Sequence, residues 1–363
     1  MSKDFFSDFK KSVTKMDGVN TNSAPPEHWL NTGFKILNKN IAGSYNKGYG
    51  SGRLAMLTGP SSSGKSLLAI AAAVEAQKAG YGVFIIDSEF ALDDEYMSAI
   101  GLNTDDDNFL FQRVNSIENA KKVMALFIQN YRKEKENLPP FLMLLDSLDQ
   151  LKTKSHTEKS KDGDVYNDQG LHAKQLKQLC SDWAQDIGDL NIFGIATKQP
   201  YKNQDPIMAK VKPWIITDAL RFPFSQIILV TNVFLKDKAT KVTEGIKLTA
   251  FADKTRFCKP FQKCVVEVPY DVSLDQYSGI LEAAASIGAV EKNGSWYNFE
   301  GEKFQAGGAS EHIEAIYQRL LEMDSDTSIV FDVELDENEA EDHNIGKAVN
   351  TSKKNTKRKV ADG

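Results

Sequence analysis

The chain has 363 residues, enough for one large domain with appendages or for two smaller ones. Charged residues make up 26 % and hydrophobic residues 41 %, an ordinary globular balance; the net charge of −6 argues against a uniformly basic nucleic-acid binder but leaves local patches open. Sparse cysteines (Cys180, Cys258, Cys264), scattered histidines and no run of roughly 20 apolar residues predict a soluble intracellular protein with reduced thiols, no zinc site and no membrane span.

Residues 4–16 set Phe5, Phe6, Phe9 and Val13 at helical spacing among lysines and aspartates, which predicts an amphipathic helix. Its apolar face either lies on its own domain or docks on a neighbouring subunit. The polar stretch after it, with Pro25-Pro26, suits a tether. Glycines at 43, 48, 50 and 52 read as turns leading into a strand over Leu54–Thr58.

That strand ends in Gly59-Pro60-Ser61-Ser62-Ser63-Gly64-Lys65-Ser66, the complete G-x-x-x-x-G-K-[ST] pattern. An alanine-rich helix over Lys65–Ala79 follows and stops at Gly80. Gly59 and Gly64 permit backbone angles that aim successive N–H groups inward as a phosphate cradle, and the positive end of the helix adds to the attraction. Lys65 is expected to reach the β- and γ-phosphates, the Ser66 hydroxyl to hold Mg²⁺, and Leu67 to close the nucleotide-contacting stretch. The pattern predicts a bound nucleoside triphosphate.

Further strands are predicted at Val83–Asp87, Phe109–Val114, Phe141–Asp146, Ile192–Thr197, Gln226–Asn232, Ile246–Phe251 and Cys264–Val268, with an amphipathic helix over 116–133. The run FLMLLD at 141–146 closes an apolar strand with an acid, the form of a Walker B strand. Near-continuous apolar strands in repeated βα units predict an α/β fold, a mostly parallel, doubly wound sheet with its ligand site at the strands' carboxyl ends. The phosphate loop, Glu89, Asp146 and Gln199 are expected together at that edge. Residues 271–322 read as a small αβ module with a helix near 278–287 and a turn at Asn293-Gly294. Beyond it an acidic run gives way to Lys353, Lys354, Lys357, Arg358 and Lys359, a tail with too little to bury, expected to be disordered. The expected organisation is an N-terminal helix and linker over 1–30, a core over 31–270, the module over 271–322 and the tail over 323–363.

The series GPSSSGKS, IIDSEFALDDEY (85–96) and LLDSL (144–148), in that order, resembles the RecA-type recombinases, and the IDSEF form is most similar to their phage UvsX branch. The likeness continues through DKTRFCKPFQKCVVEV (253–268) and QYSGILEAAASIGAVEKNGSWYNFEGEKF (276–304). It implies a RecA-like P-loop ATPase core with an N-terminal oligomerisation helix. It also implies an ATP- and Mg²⁺-dependent protein that forms filaments on single-stranded DNA and pairs it with duplex DNA. Homologous recombination and strand exchange would be its function, with single-strand-binding and mediator proteins as further partners, in the cytoplasm (that of a host cell if phage-encoded).

The resemblance also implies residue roles. Glu89 matches the glutamate that polarises the attacking water, and Tyr96 the tyrosine stacked on adenine. Asp146 matches the acid that holds the Mg²⁺ shell. Gln199 matches the polar sensor, here in the context Thr197-Lys198-Gln199 where UvsX relatives carry a histidine. Lys254 and Arg256 match the basic pair that crosses the subunit interface to a neighbour's ATP. A carboxylate at a strand tip opposite a phosphate loop can orient water for in-line attack on the γ-phosphorus. Two polar connections, Lys152–Leu171 and Lys202–Ser225, are the DNA-contact candidates: Lys152 and Lys154 on the first with Lys174 on the helix after it, and Lys202, Lys210, Lys212, Trp214 and Arg221 on the second. Phe222 and Phe224 equally suit packing beside the next strand. A ring helicase on the same core, or a small-molecule phosphotransferase, are the rival functions.

Overall fold

The computed structural model describes residues 3–14, 25–161, 169–205, 213–237, 240–270 and 274–324. Eight strands form the central sheet: β1 (Arg53–Thr58), β2 (Gly82–Asp87), β3 (Phe109–Arg113), β4 (Phe141–Asp146), β5 (Ile192–Lys198), β6 (Phe224–Lys236), β7 (Thr243–Thr255) and β8 (Lys263–Pro269). Their spatial order is β8-β7-β6-β1-β5-β4-β2-β3. The six from β6 to β3 are parallel, whereas β7 runs antiparallel to both β6 and β8. Every residue of β2, β4 and β5 is buried, as strands covered on both faces require.

The helices are α1 (Lys3–Thr14), α2 (Lys35–Ala42), α3 (Lys65–Lys78), α4 (Asp94–Ile100), α5 (Ile117–Glu134), α6 (Lys154–Lys161), α7 (Gln169–Asp186), α8 (Ile280–Ser286) and α9 (Ile313–Met323). One face of the sheet packs on α2, α3 and the C-terminal module, and the other on α5 and α7. Ala69, Ala71, Ala72, Ala73 and Ala76 of α3 are all buried; small side chains let this helix press close to the sheet behind the phosphate loop. Local chemistry sets the helix starts. Asp93 caps α4 by accepting from the Tyr96 N–H at 2.8 Å, and Ser116 caps α5 by accepting from the Asn119 N–H at 3.2 Å.

The module adds strands β9 (Glu291–Asn293), β10 (Trp296–Phe299) and β11 (Glu302–Gln305), the first two joined by the expected turn with Gly294 at φ 62°. Its Val290, Tyr297, Phe299, Phe304, Ile316 and Leu320 belong to the same apolar cluster as α2 and α3. Asp324 ties the end of α9 back to α2, accepting from Tyr45 Oη at 2.8 Å and pairing with Lys39 at 2.9 Å. The chain divides into two units, Met1–Thr327 and Ser328–Gly363, and the second, with the expected charged tail, lies outside the described residues. Among the described residues no helix is long and apolar enough to cross a membrane.

Three expectations need correction. β6 and β7 are each 13 residues long, well beyond Gln226–Asn232 and Ile246–Phe251. Past Leu229, β6 leaves β1 and pairs only with β7, which there pairs with β8 on its other side, and the last residues of β6, from Val233 on, are no longer buried, so the apolar signal stops before the strand does. The first connection is not wholly loop, because α6 occupies Lys154–Lys161. Its sequence KSHTEKSK carries no apolar period; Thr153 Oγ1 accepts from the His156 N–H and the Glu118 carboxylate from the Lys154 N–H, which starts the helix locally. The second connection contains a short ladder, Tyr201–Lys202 against Trp214–Ile215, and a helical turn at Asp218–Arg221.

Candidate nucleotide and nucleic-acid site

The carboxyl ends of β1, β5, β4 and β2 lie side by side, with Thr58 opposite Lys198 and Asp87 opposite Asp146. This brings the phosphate loop, Glu89, Asp146 and Gln199 to one edge of the sheet. Gly59 is a close-approach position: a Cβ there would stand 2.2 Å from the Val230 carbonyl and 2.4 Å from Ser63 Oγ. Gly64 caps α3 with φ 95°, and a Cβ would meet Leu248 at 2.6 Å. Ser62 also has positive φ, 59°, and Asn232 Nδ2 donates to its carbonyl at 2.9 Å. The loop is thus held from the β6 side as well as by its own turn.

The Lys65 ammonium donates to the carbonyls of Gly59 (3.0 Å) and Pro60 (2.8 Å), folded back over the loop. Burial holds it below the usual lysine range, opposed by the charges of Asp146, Glu89 and Asp149. Burial pushes the Asp146 carboxyl up, against hydrogen bonds from Thr197 and Ser66; Glu89 and Asp87 push it further up. A γ-hydroxyl and a carboxylate in contact are a donor set that suits Mg²⁺, which takes few protein oxygens and completes its shell with phosphate and water. With the glycine cradle, the residues present fit a magnesium nucleotide.

Glu89 is exposed, and its Oε1 accepts from Ser147 Oγ at 2.6 Å. The turn that carries it is anchored by the fully buried Asp87. That carboxylate accepts from the N–H groups of Glu89 (2.9 Å), Phe90 (2.8 Å) and Leu92 (3.4 Å), with Arg113 3.6 Å away. Ser88 and Ser147 join the tips of β2 and β4: the Ser147 N–H donates to Ser88 Oγ at 2.9 Å, which donates to the Ser147 carbonyl at 2.5 Å. Tyr96 sits on α4, partly exposed, with burial and then the charge of Asp146 raising its hydroxyl pKa. Gln199 is exposed, with its backbone N–H on Asp149.

Lys254 and Arg256 lie elsewhere. Lys254 pairs across the ladder with Ile227, which is level with Met56, the fourth of the six residues of β1. Because β7 is antiparallel, the chain runs from Lys254 to Arg256 toward the amino ends of the parallel strands, away from the phosphate loop. Lys254 Nζ donates to the Arg221 carbonyl at 2.7 Å and Arg256 Nη2 to the Phe222 carbonyl at 3.4 Å. A cavity of about 330 Å³ opens beside them, with Phe222 exposed on its rim. Burial lowers Lys254 to about 8, with Arg256 and Arg221 adding repulsion. Arg221 pairs with Asp253 and stands beside this basic pair.

Of the other DNA candidates, Lys152, Lys154, Lys174 and Lys202 are exposed, and the Lys154 N–H donates to the Glu118 carboxylate. Trp214 is half-buried in the short ladder opposite Lys202, and Phe224 is fully buried while Phe222 is 72 % exposed. Lys210 and Lys212 lie outside the described residues. Asp87, Ser147, Asp149, Lys198 and Asn232 were missed from sequence. The first two sit inside the quoted IIDSEF and LLDSL motifs, which is the signal that points to them; the others act through contacts distant in sequence.

A family model described as RecA N-terminal domain matches residues 28–274. The chain is 28 % identical over 282 residues to Protein RecA of Phytoplasma mali (strain AT), covering 76 % of this chain and 78 % of that protein. It is 25 % identical over 309 residues to Protein RecA of Streptococcus thermophilus, covering 80 % and 78 %. With more than half of its length matched by the family model and its phosphate loop, Walker B strand and following acids on one sheet edge, this chain belongs to the RecA family.

Proposed function

We propose that this chain assembles head to tail on single-stranded DNA, with each ATP shared between two protomers, and that the filament pairs homologous DNA and exchanges strands. It is a RecA-type recombinase and a DNA-dependent ATPase. The observation that carries the shared site is that Lys254 and Arg256 turn away from the phosphate loop of their own chain, onto the Arg221 and Phe222 carbonyls before β6. Cations there serve a second copy's phosphates, and a heterologous contact that does not close is a filament. The exposed Phe5, Phe6 and Phe9 of α1 supply an apolar face for the same neighbour contact.

Within the site, the loop N–H groups and Lys65 would hold the triphosphate, and Tyr96 would cover the adenine. Glu89, steadied by Ser147, would orient the attacking water. Bound Mg²⁺, held through Ser66 and Asp146, would neutralise charge on the phosphate oxygens. Gln199, at the root of the second connection, would report the nucleotide to the DNA loops. Lys152, Lys154, Lys174 and Lys202 would neutralise DNA phosphates and Trp214 would stack on or wedge between bases. The IDSEF block supports the phage UvsX branch, and a cytoplasmic location follows from that reading. Neither rival function is favoured: a phosphotransferase leaves the basic pair without a task, and a ring helicase predicts closed rings and fork unwinding.

Electron microscopy of the full chain with single-stranded DNA, with and without a non-hydrolysable ATP analogue, tests the proposal. Long nucleotide-dependent filaments are the expected result. Particles that stay monomeric, or close into small rings, would overturn it.

A further inference from the structure

A charge pair with a buried ammonium and a half-buried carboxylate lies at the roots of both long connections. Lys198 ends β5 with its side chain 1 % exposed, and its ammonium is bonded to Asp149 Oδ1. The second oxygen of Asp149 accepts the Gln199 N–H, so one carboxylate grips two consecutive residues at the end of β5. The ring of Tyr201 lies 5.1 Å from the same ammonium and pairs with Ile215 in the second connection. Asp149 itself stands three residues past Asp146 and two before Leu151, whose carbonyl bonds His172 of α7 at 2.7 Å. Its charge is felt at Lys65, and that of Lys198 at Cys180 of α7.

A buried ammonium is costly unless it is paired, and an apolar pair of similar size would hold a strand end at least as well. What the ion pair adds is a fixed register between the turn after β4 and the turn after β5. We propose that Asp149, Lys198 and Tyr201 form a latch that positions Gln199 and ties the first connection to the second, so that DNA on those connections is transmitted to the hydrolytic site. They are positioning residues. The inference rests on the DNA-dependent ATPase reading.

The test is steady-state hydrolysis by the full chain titrated with poly(dT), for wild type, Asp149→Asn, Lys198→Met, their double variant, Lys198→Arg and Tyr201→Leu. Each neutralising variant is expected to lose about tenfold in maximal stimulation, inside the roughly 5–150-fold range of coupling between sites, while the half-maximal poly(dT) concentration moves by less than about threefold. The double variant loses no more than either single one, because both break one bond. Lys198→Arg recovers most of the stimulation. Wild-type stimulation in Asp149→Asn and Lys198→Met, or losses that multiply in the double variant, would overturn the latch. If Lys198→Met does not fold, Tyr201→Leu, on the exposed side, carries the same two outcomes. A wild-type chain indifferent to poly(dT) overturns the recombinase reading and the latch with it; stimulated wild type with unaffected variants overturns the latch alone.

Discussion

If the basic pair acts on a neighbour's nucleotide, two individually dead proteins must revive each other. Lys254 is level with Met56, two residues short of Thr58, and β6 stands between β7 and β1. At about 3.3 Å per residue and about 4.8 Å per strand, its backbone is about 7 Å along and about 10 Å across from the end of β1 alone, with the loop still beyond. Its side chain also points away, to the Arg221 carbonyl. It cannot reach its own loop. Consider Glu89→Gln, which keeps its pair but cannot orient water, mixed with Lys254→Ala/Arg256→Ala, which keeps its Glu89. Each alone should lose DNA-stimulated turnover, with the missing trans charges worth about 10³–10⁵ in rate. In a random equimolar filament, one junction in four joins an intact Glu89 to an intact pair, so turnover should return to about a quarter of wild type. The assay is phosphate release on poly(dT) as the mixing ratio is varied; it should peak near equimolar. A mixture no more active than the sum of its parts would mean that the pair works within its own chain, and the shared-site argument would fall.

Four further outcomes follow from the same geometry. Lys65→Ala should abolish ATP binding, read by fluorescent-nucleotide titration. Gly59→Ala should weaken it by at least about tenfold, since its Cβ has no room against Val230 and Ser63 and the loop must shift. Ser147→Ala should lower turnover but leave nucleotide affinity, because it frees Glu89 without touching the cradle; equal turnover would clear Ser147 of that task. Lys254 titrates at about 8 in the single chain, below its unfolded value, because burial and two cations disfavour its charge. Between pH 8 and its unfolded value the unfolded chain binds the extra proton, so this residue makes folding more favourable as pH rises there. The ammonium needed for the neighbour's phosphates is lost over the same range. The protein concentration needed for filament assembly should therefore increase as pH rises through about 8, and Lys254→Arg should flatten the dependence.

How far the chain could be read depended on where each signal is stored. The phosphate loop, β2 and β4 are contiguous runs whose residues all serve one purpose, and FLMLLD announces both a strand and its acid. Burial patterns end before hydrogen-bonded ladders do, which is why β6 reads short: Val233 and Phe234 are exposed although the ladder to β7 runs on through them. α6 has no apolar face and depends on Thr153 and Glu118, a cap that only the fold assembles. Arg221 read as a loop cation because its partner Asp253 is 32 residues away in sequence. Asp149 and Lys198 are 49 residues apart and meet because β4 and β5 are neighbours, a fact about sheet order that neither segment contains.

Sheet order also decides which signals can stay within one protomer. β5 is the immediate neighbour of β1, and β4 the next, so both long connections leave the sheet beside the phosphate loop. Coupling DNA to nucleotide within a chain then needs only contacts one strand wide, such as the Asp149–Lys198 pair. The reversal from β6 to β7 does the opposite. By turning antiparallel it carries the chain from Leu248, beside Gly64 of the phosphate loop, back to Lys254 and Arg256 beside the Arg221 and Phe222 carbonyls, away from the loop of the same chain. On the proposed shared site, this one change of strand direction separates the two halves of the catalytic charge set and makes hydrolysis conditional on assembly.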